Sequence, residues 1–110
     1  MAKPSNTSFE VSNALRIIGN NMRVARTRRK IQAAELAQRC GIARKTLYSI
    51  EKGEPGSSVG HLFTVLWALG LLDSAKSIAD PNNDEHGKIL EAAKRKTRIR
   101  KTTSTFDNNF

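Results

Sequence analysis

The amino-acid sequence predicts an all-α fold of five helices, followed by a sixth candidate helix and a flexible basic tail. Three observations favour this fold. Apolar residues recur at steps of three and four, no stretch shows the alternation of a strand, and glycines stand where the helical patterns stop. With 110 residues the chain can form one packed domain, which we predict over residues 9–80.

The first predicted helix runs from about Phe9 to Arg29. Its apolar positions follow one another at steps of four and three, which places them along one face of a helix. These positions are Val11, Leu15, Ile18, Met22 and Ala25. Residues 1–8 show no such pattern and are expected to be flexible.

Two short helices follow, separated by very few residues. The stretch from Glu35 to Cys40 is in helical register and is ended by Gly41, because glycine adopts a positive φ at low cost. The next pattern runs from Arg44 to Gly53, with Leu47 and Ile50 on its inner face. Two short helices joined through a glycine turn are typical of a helix-turn-helix.

The fourth and fifth helices are predicted after a turn over residues 54–57. Ser58 can cap the fourth helix, and Gly70 ends it. Its predicted apolar face consists of Val59, Leu62, Phe63, Leu66 and Leu69. The fifth helix is predicted over residues 71–79, and its apolar side consists of Leu72, Ala75, Ile78 and Ala79.

The chain beyond this body is predicted to be only partly structured. Residues 80–83, with Pro81 among them, form a strong helix breaker. We expect a partly helical extension over residues 81–96, with a candidate helix from Asp84 to Arg95. From Thr97 to Phe110, threonine, serine, asparagine and basic residues dominate, which predicts a flexible tail.

The positive charge of the chain is concentrated in two segments. The net charge is +9, with a local charge of +8 over residues 16–52, −4 over residues 53–87 and +6 over residues 88–101. Basic segments repel themselves unless a polyanion neutralises them, and nucleic acid is the commonest such partner. A basic surface that is merely solvated is the alternative for the segment over residues 88–101.

Membrane insertion, secretion and catalysis are not predicted. No run approaches the roughly eighteen apolar residues of a membrane span, and the first eight residues lack the apolar stretch of a secretory signal. Cys40 is the single cysteine, and only His61 and His86 could join it as zinc ligands. We therefore expect a cytoplasmic protein that is not an enzyme and has no catalytic residue, metal or cofactor.

Between Ile18 and Gly70, several short sequence motifs follow one another in a fixed order and spacing, with no insertion between them. They are Met22 and Arg26, Glu35-Leu36-Ala37, Gly41-Ile42-Ala43, Ile50-Glu51-Lys52-Gly53, Leu62, and Ala68-Leu69-Gly70. In this register the stretch resembles the XRE family, the helix-turn-helix domain of phage repressors and many bacterial regulators. The resemblance implies a lambda-repressor-like domain that places its third helix, from about Ala43 to Lys52, in the major groove of double-stranded DNA.

The helical spacing directs one set of third-helix residues outward, where they can contact bases. The set is Ala43, Arg44, Lys45, Tyr48 and Ser49. The resemblance implies that Arg44, Lys45 and Ser49 read bases, while Thr46 and Tyr48 more often contact the backbone or neighbouring bases. Plain phosphate contact is the alternative for Arg44 and Lys45.

Phosphate contacts are predicted around this helix. The residues are Gln32, Thr46, Lys52, Ser57, Ser58 and Arg28. The sequence departs from the family at Ala33, where many members have a polar residue that supports both a phosphate and the recognition helix. The resemblance also implies a buried ion pair between Arg26 and Glu51, and the alternative is that both side chains are exposed.

A second resemblance covers the chain from Leu69 onwards. It rests on Leu69-Gly70-Leu71-Leu72-Asp73, Ile78-Ala79-Asp80-Pro81, Asp84-Glu85-His86-Gly87 and the basic stretch through Arg100. This pattern is similar to the end of HipB-type antitoxins, which are encoded beside HipA-type serine/threonine kinase toxins. It implies a repressor that controls its own operon and inhibits the kinase by forming a complex with it. Because a lone domain of this kind binds only a short half-site, we also expect a homodimer on a palindromic operator, associated with the bacterial nucleoid. A free-standing regulator without a toxin partner is the alternative.

Overall fold

The computed structural model describes residues 8–101, and all regular structure in this range is helical, so the predicted all-α fold is confirmed. The helices are α1 (Phe9–Arg28), α2 (Ala33–Cys40), α3 (Arg44–Lys52), α4 (Val59–Ala68), α5 (Leu72–Ala75) and α6 (Glu85–Lys101), with a short 3₁₀ helix at Pro81–Asn83. The chain divides into two compact units, residues 1–76 and 77–110. Of the flexible ends predicted at 1–8 and 97–110, residues 1–7 and 102–110 lie outside the described residues.

Helix α1 is long, and only its second half enters the core. The hydroxyl oxygen of Ser8 accepts a hydrogen bond from the Val11 N–H and caps the helix start. Met22 is buried, whereas Val11 and Ile18 are 50% and 40% exposed. The apolar stripe predicted for α1 is therefore buried only over the second half of the helix. Helical spacing shows that residues share a face, but not whether another element covers that face.

The core of the first unit joins α1, α2, α3 and α4. Its fully packed members are Met22, Ala25, Ala33, Leu36, Ala37, Leu47, Ile50, Val65 and Leu69. On α4, Val65 is completely buried and Val59 is 67% exposed, which corrects the predicted apolar face. Seven of the ten residues of α4 are apolar and they lie on more than one side of the helix, so the pattern did not indicate which side packs inward.

Two glycines let α1 cross the end of α3 with backbone against backbone. A β-carbon at Gly19 would lie 2.5 Å from the carbonyl oxygen of Ile50. A β-carbon at Gly53 would lie 2.5 Å from the backbone nitrogen of Arg16. This contact fixes the end of α3 against α1, and it depends on the absence of both side chains.

Helix α5 is shorter than predicted. It ends at Ala75, which is buried, and Ile78 is 65% exposed instead of lying on an inner face. Ala79 adopts a φ of 56°, a left-handed conformation that does not continue a helix. The boundary between the two compact units follows Lys76, four residues before the predicted end of the domain.

The second unit, over its described part, consists of the 3₁₀ helix and α6. The Asp84 carboxylate accepts a hydrogen bond from the Gly87 N–H at 3.0 Å and so caps the start of α6. Helix α6 continues to Lys101, beyond Thr97, where the sequence predicted a tail. The lysines and arginines around Thr97 are good helix formers, which accounts for the extension. No helix within residues 8–101 has both the length and the apolar character needed to cross a membrane.

Candidate nucleic-acid interface

One face of helix α3 packs against the core, and the opposite face is exposed. Leu47 is completely buried and Ile50 is 2% exposed, so the inner face has the residues that the spacing predicted. Gly41 ends α2 with a φ of 69°, and the Ile42 N–H donates to the Ala37 carbonyl at 3.0 Å. Ala37 is also buried, and its small side chain lets α2 and α3 approach closely. The turn and the inner residues together fix the direction of α3.

The outer face of α3 brings together the residues predicted to read bases. Ala43, Arg44, Lys45 and Tyr48 are exposed, and Ser49 is half-buried beside them. Their chemistry suits the major groove, since a guanidinium can donate two hydrogen bonds to a guanine edge and hydroxyl groups can pair with several bases. The start of this helix is therefore able to present donors and an aromatic ring to a base-pair edge.

Arg26 and Glu51 form a two-point ion pair beneath this face. The Arg26 Nε donates to Glu51 Oε2 at 2.7 Å, and its Nη2 donates to Glu51 Oε1 at 3.1 Å. The side chains are 12% and 4% exposed. A third bond runs from Arg26 Nη1 to the carbonyl oxygen of Ile31 at 3.1 Å. Arg26 thus links α1, the turn before α2 and the end of α3, and it does not belong to the exposed cationic surface.

The ion pair also sets the electrostatics of the interface. Hydrogen bonding to Glu51 raises the pKa of Arg26 further above its high ordinary value, so Arg26 stays charged. Glu51 is the only acidic residue in α3, and its charge is buried against that cation. The exposed surface of α3 therefore carries only the positive charges of Arg44, Lys45 and Lys52, as a phosphate-rich ligand requires.

At the start of α2, the structure explains the departure from the family pattern. Ala33 is 7% exposed and belongs to the hydrophobic core, so a polar side chain there would have to leave the core to reach DNA. Gln32 precedes it as the N-cap residue, with its side chain exposed and not engaged in capping. Gln32 is therefore an exposed polar residue at the start of α2, beside the buried Ala33.

The two serines before α4 differ in their surroundings. Ser58 Oγ accepts a hydrogen bond from the His61 N–H at 3.2 Å, and its O–H can still donate outward. The hydroxyl oxygen of Ser57 is buried and has no hydrogen-bond partner among the described residues. Of the remaining predicted phosphate contacts, Arg28 and Lys52 are exposed and Thr46 is half-buried.

The contact between α1 and α3 at Gly19 and Gly53 is the feature that the sequence reasoning missed. A glycine in the middle of a helix costs about 1 kcal/mol relative to alanine. Gly19 interrupts the first helical pattern in this way, and it is the signal that could have indicated a close approach of another backbone.

The comparison with protein families agrees with this geometry. A family model described as Helix-turn-helix matches residues 22–71, from the second half of α1 to the residue before α5. Comparisons with curated proteins and with solved structures gave no significant match. The matched range contains the core of the first unit, the ion pair and the whole of α3. Residues 22–71 are therefore similar in sequence to a helix-turn-helix domain, and their all-helical structure is consistent with that similarity.

Proposed function

We propose that this protein is a sequence-specific transcriptional repressor that reads DNA with the outer face of α3. The observation that carries the proposal is the cationic outer face of α3 on a helix fixed by Leu47, Ile50 and the buried Glu51. In this proposal Arg44, Lys45 and Ser49 contact bases, with Ala43 and Tyr48 beside them. The phosphate contacts are Gln32, Thr46, Lys52, Ser57, Ser58 and Arg28. The protein acts on the nucleoid in the bacterial cytoplasm.

The proposed repressor binds its operator as a homodimer. A single domain of this size reads a short half-site, and two copies related by a two-fold axis read a palindrome. An apolar stripe on α4 supports self-association, because Val59 and Trp67 are 67% and 62% exposed and Phe63 lies between them at the same helical spacing. Helix α4 contains no Lys, Arg, Asp or Glu, so two copies of this positively charged chain can meet there without local repulsion.

Footprinting on the DNA upstream of the gene tests the repressor and the dimer together. We expect two protected half-sites whose centres are about 34–36 Å apart or a multiple of that distance. Arg44→Ala should weaken operator binding by about 5- to 150-fold, the equivalent of one lost base contact, and should weaken binding to random duplex much less.

Lys52→Ala is the matched control for this experiment. Lys52 is an exposed cation on the same helix but lies at its opposite end, so its loss should weaken both DNAs to the same extent. Equal losses on operator and random duplex for Arg44→Ala would show that Arg44 touches only phosphate. Protection of one unpaired half-site would overturn the dimer.

We further propose that the repressor is the antitoxin of a HipA-type kinase. Support comes from the resemblance of the segment from Leu69 to Arg100 to the end of HipB-type antitoxins. In a strain with a neighbouring kinase gene, a tagged copy of this protein should retain the untagged kinase during purification and suppress its autophosphorylation. Arg44→Ala should leave this complex intact, since Arg44 lies on the DNA face. A kinase that is expressed but neither retained nor inhibited would favour a free-standing regulator.

A further inference from the structure

The second half of α6, residues 94–101, has an unusually dense positive charge. Lys94, Arg95, Lys96 and Arg98 fall within five residues, all four side chains are exposed, and no acid lies among them. The sequence adds Arg100 and Lys101 to the same helix. The two acids of α6 lie earlier, at Glu85 and Glu91.

The internal ion pairs of α6 neutralise little of this charge. Lys88 lies 3.3 Å from Glu85, and Arg95 lies 3.6 Å from Glu91. Each of these four side chains is about half exposed or more, so water screens both pairs. Lys96 has no acidic residue within four positions on either side in the sequence.

Helical geometry turns this charge density into self-repulsion. Lys94 and Arg98 are four residues apart, and side chains at this spacing are neighbours on a helix. Like charges at this spacing destabilise the helix. A ligand with closely spaced negative charges would remove the repulsion.

We propose that the second half of α6 is a DNA-binding element independent of sequence, whose helix is stabilised by the phosphates of a duplex. The proposal rests on DNA being the ligand of the protein. Double-stranded DNA carries one negative charge per about 1.7 Å of its axis, a density that can match this row of cations. The seventeen residues of α6 span about 25 Å.

The composition of the segment favours DNA over a protein or a membrane. Protein interfaces have apolar centres in which lysine is depleted, and membrane-bound helices need an apolar face alongside the cations. The exposed apolar residues Ile89 and Leu90 lie in the first half of α6, and in the second half the sequence has a single apolar residue, Ile99, which is too little for an apolar face.

The test compares two full-length double variants with the same net charge. Lys94→Gln with Lys96→Gln removes two cations from α6, and glutamine keeps a good helix propensity. Arg16→Gln with Lys76→Gln removes two exposed cations outside α6 and outside the proposed DNA interface. Binding to a 30-base-pair random duplex is measured between 50 and 200 mM salt, and helix content is followed by circular dichroism with and without the duplex.

The α6 variant should reduce the slope of log affinity against log salt by up to about 1.8, whereas the control variant should leave it nearly unchanged. The duplex should raise the helix content of the unmodified chain more than that of the α6 variant. Equal slopes for both variants would overturn the proposal. The proposal would also be overturned if the α6 variant kept a normal slope but lost binding to the kinase or to anionic vesicles. The random duplex contains no operator, so a failure of sequence-specific reading by α3 would appear only in the footprint.

Discussion

Replacing Glu51 by alanine should lower the free energy of unfolding by about 3–5 kcal/mol, because the change leaves the Arg26 guanidinium without its partner in a site that is mostly closed to water. Two charge-assisted hydrogen bonds are lost, while the bond from Arg26 to the Ile31 carbonyl remains and holds the cation in place. Urea denaturation at neutral pH, followed by circular dichroism, measures the loss.

Two variants show whether burial causes this effect. Glu35→Ala breaks the pair with Arg39, whose side chains are about half exposed, and should cost at most about 1 kcal/mol. Arg26→Met combined with Glu51→Leu removes both charges and should recover most of the lost stability. If Glu51→Ala cost no more than Glu35→Ala, the pair would be solvated and would not anchor α3.

Replacing Gly53 by alanine should lower the free energy of unfolding by about 2–5 kcal/mol. Gly53 has a φ of 76°, a left-handed conformation that costs a residue with a β-carbon about 1–2 kcal/mol. The new β-carbon would also lie 2.5 Å from a backbone atom of Arg16, and overpacking of this kind typically adds about 1–3 kcal/mol. The same urea denaturation measures the sum.

Gly41 is the matched control for Gly53. It has a similar φ of 69°, but no atom lies within 4 Å of the position of its β-carbon. Gly41→Ala should therefore cost only the conformational term, about 1–2 kcal/mol. The difference between the two losses of unfolding free energy measures the cost of placing a side chain in the contact between α1 and the end of α3. Equal costs would mean that α1 moves aside without penalty, and the proposed fixation of α3 would then be wrong.

Local chemistry allowed most of the helix-turn-helix to be predicted from the sequence. The inward positions Leu47 and Ile50 follow from a period of 3.6 residues. The end of α2 at Gly41 follows from the freedom of glycine to adopt a positive φ. The outward group around Arg44 follows from the same period, because a helix that buries one face must expose the other. Each of these features depends on residues close together in the chain.

Other features of the site depend on which elements meet. Nothing local distinguishes Val65 from Val59, yet one is buried and the other exposed, because α4 packs against α2 on one side only. The first half of α1 has a regular apolar stripe that remains largely exposed, since burial requires a covering element. For the same reason Ala33 is a core residue at a position where the resemblance alone did not indicate burial.

The sequence by itself determined the helices, the turn at Gly41, the outer face of α3 and, through the family resemblance, the partnership of Arg26 with Glu51. Only the tertiary structure decided how α3 is held. It brought the backbone of α1 at Gly19 against Ile50, brought Gly53 against Arg16, and buried the carboxylate of Glu51. The physical reason is that helix formation and capping are short-range, whereas steric exclusion and desolvation are properties of groups that folding brings together.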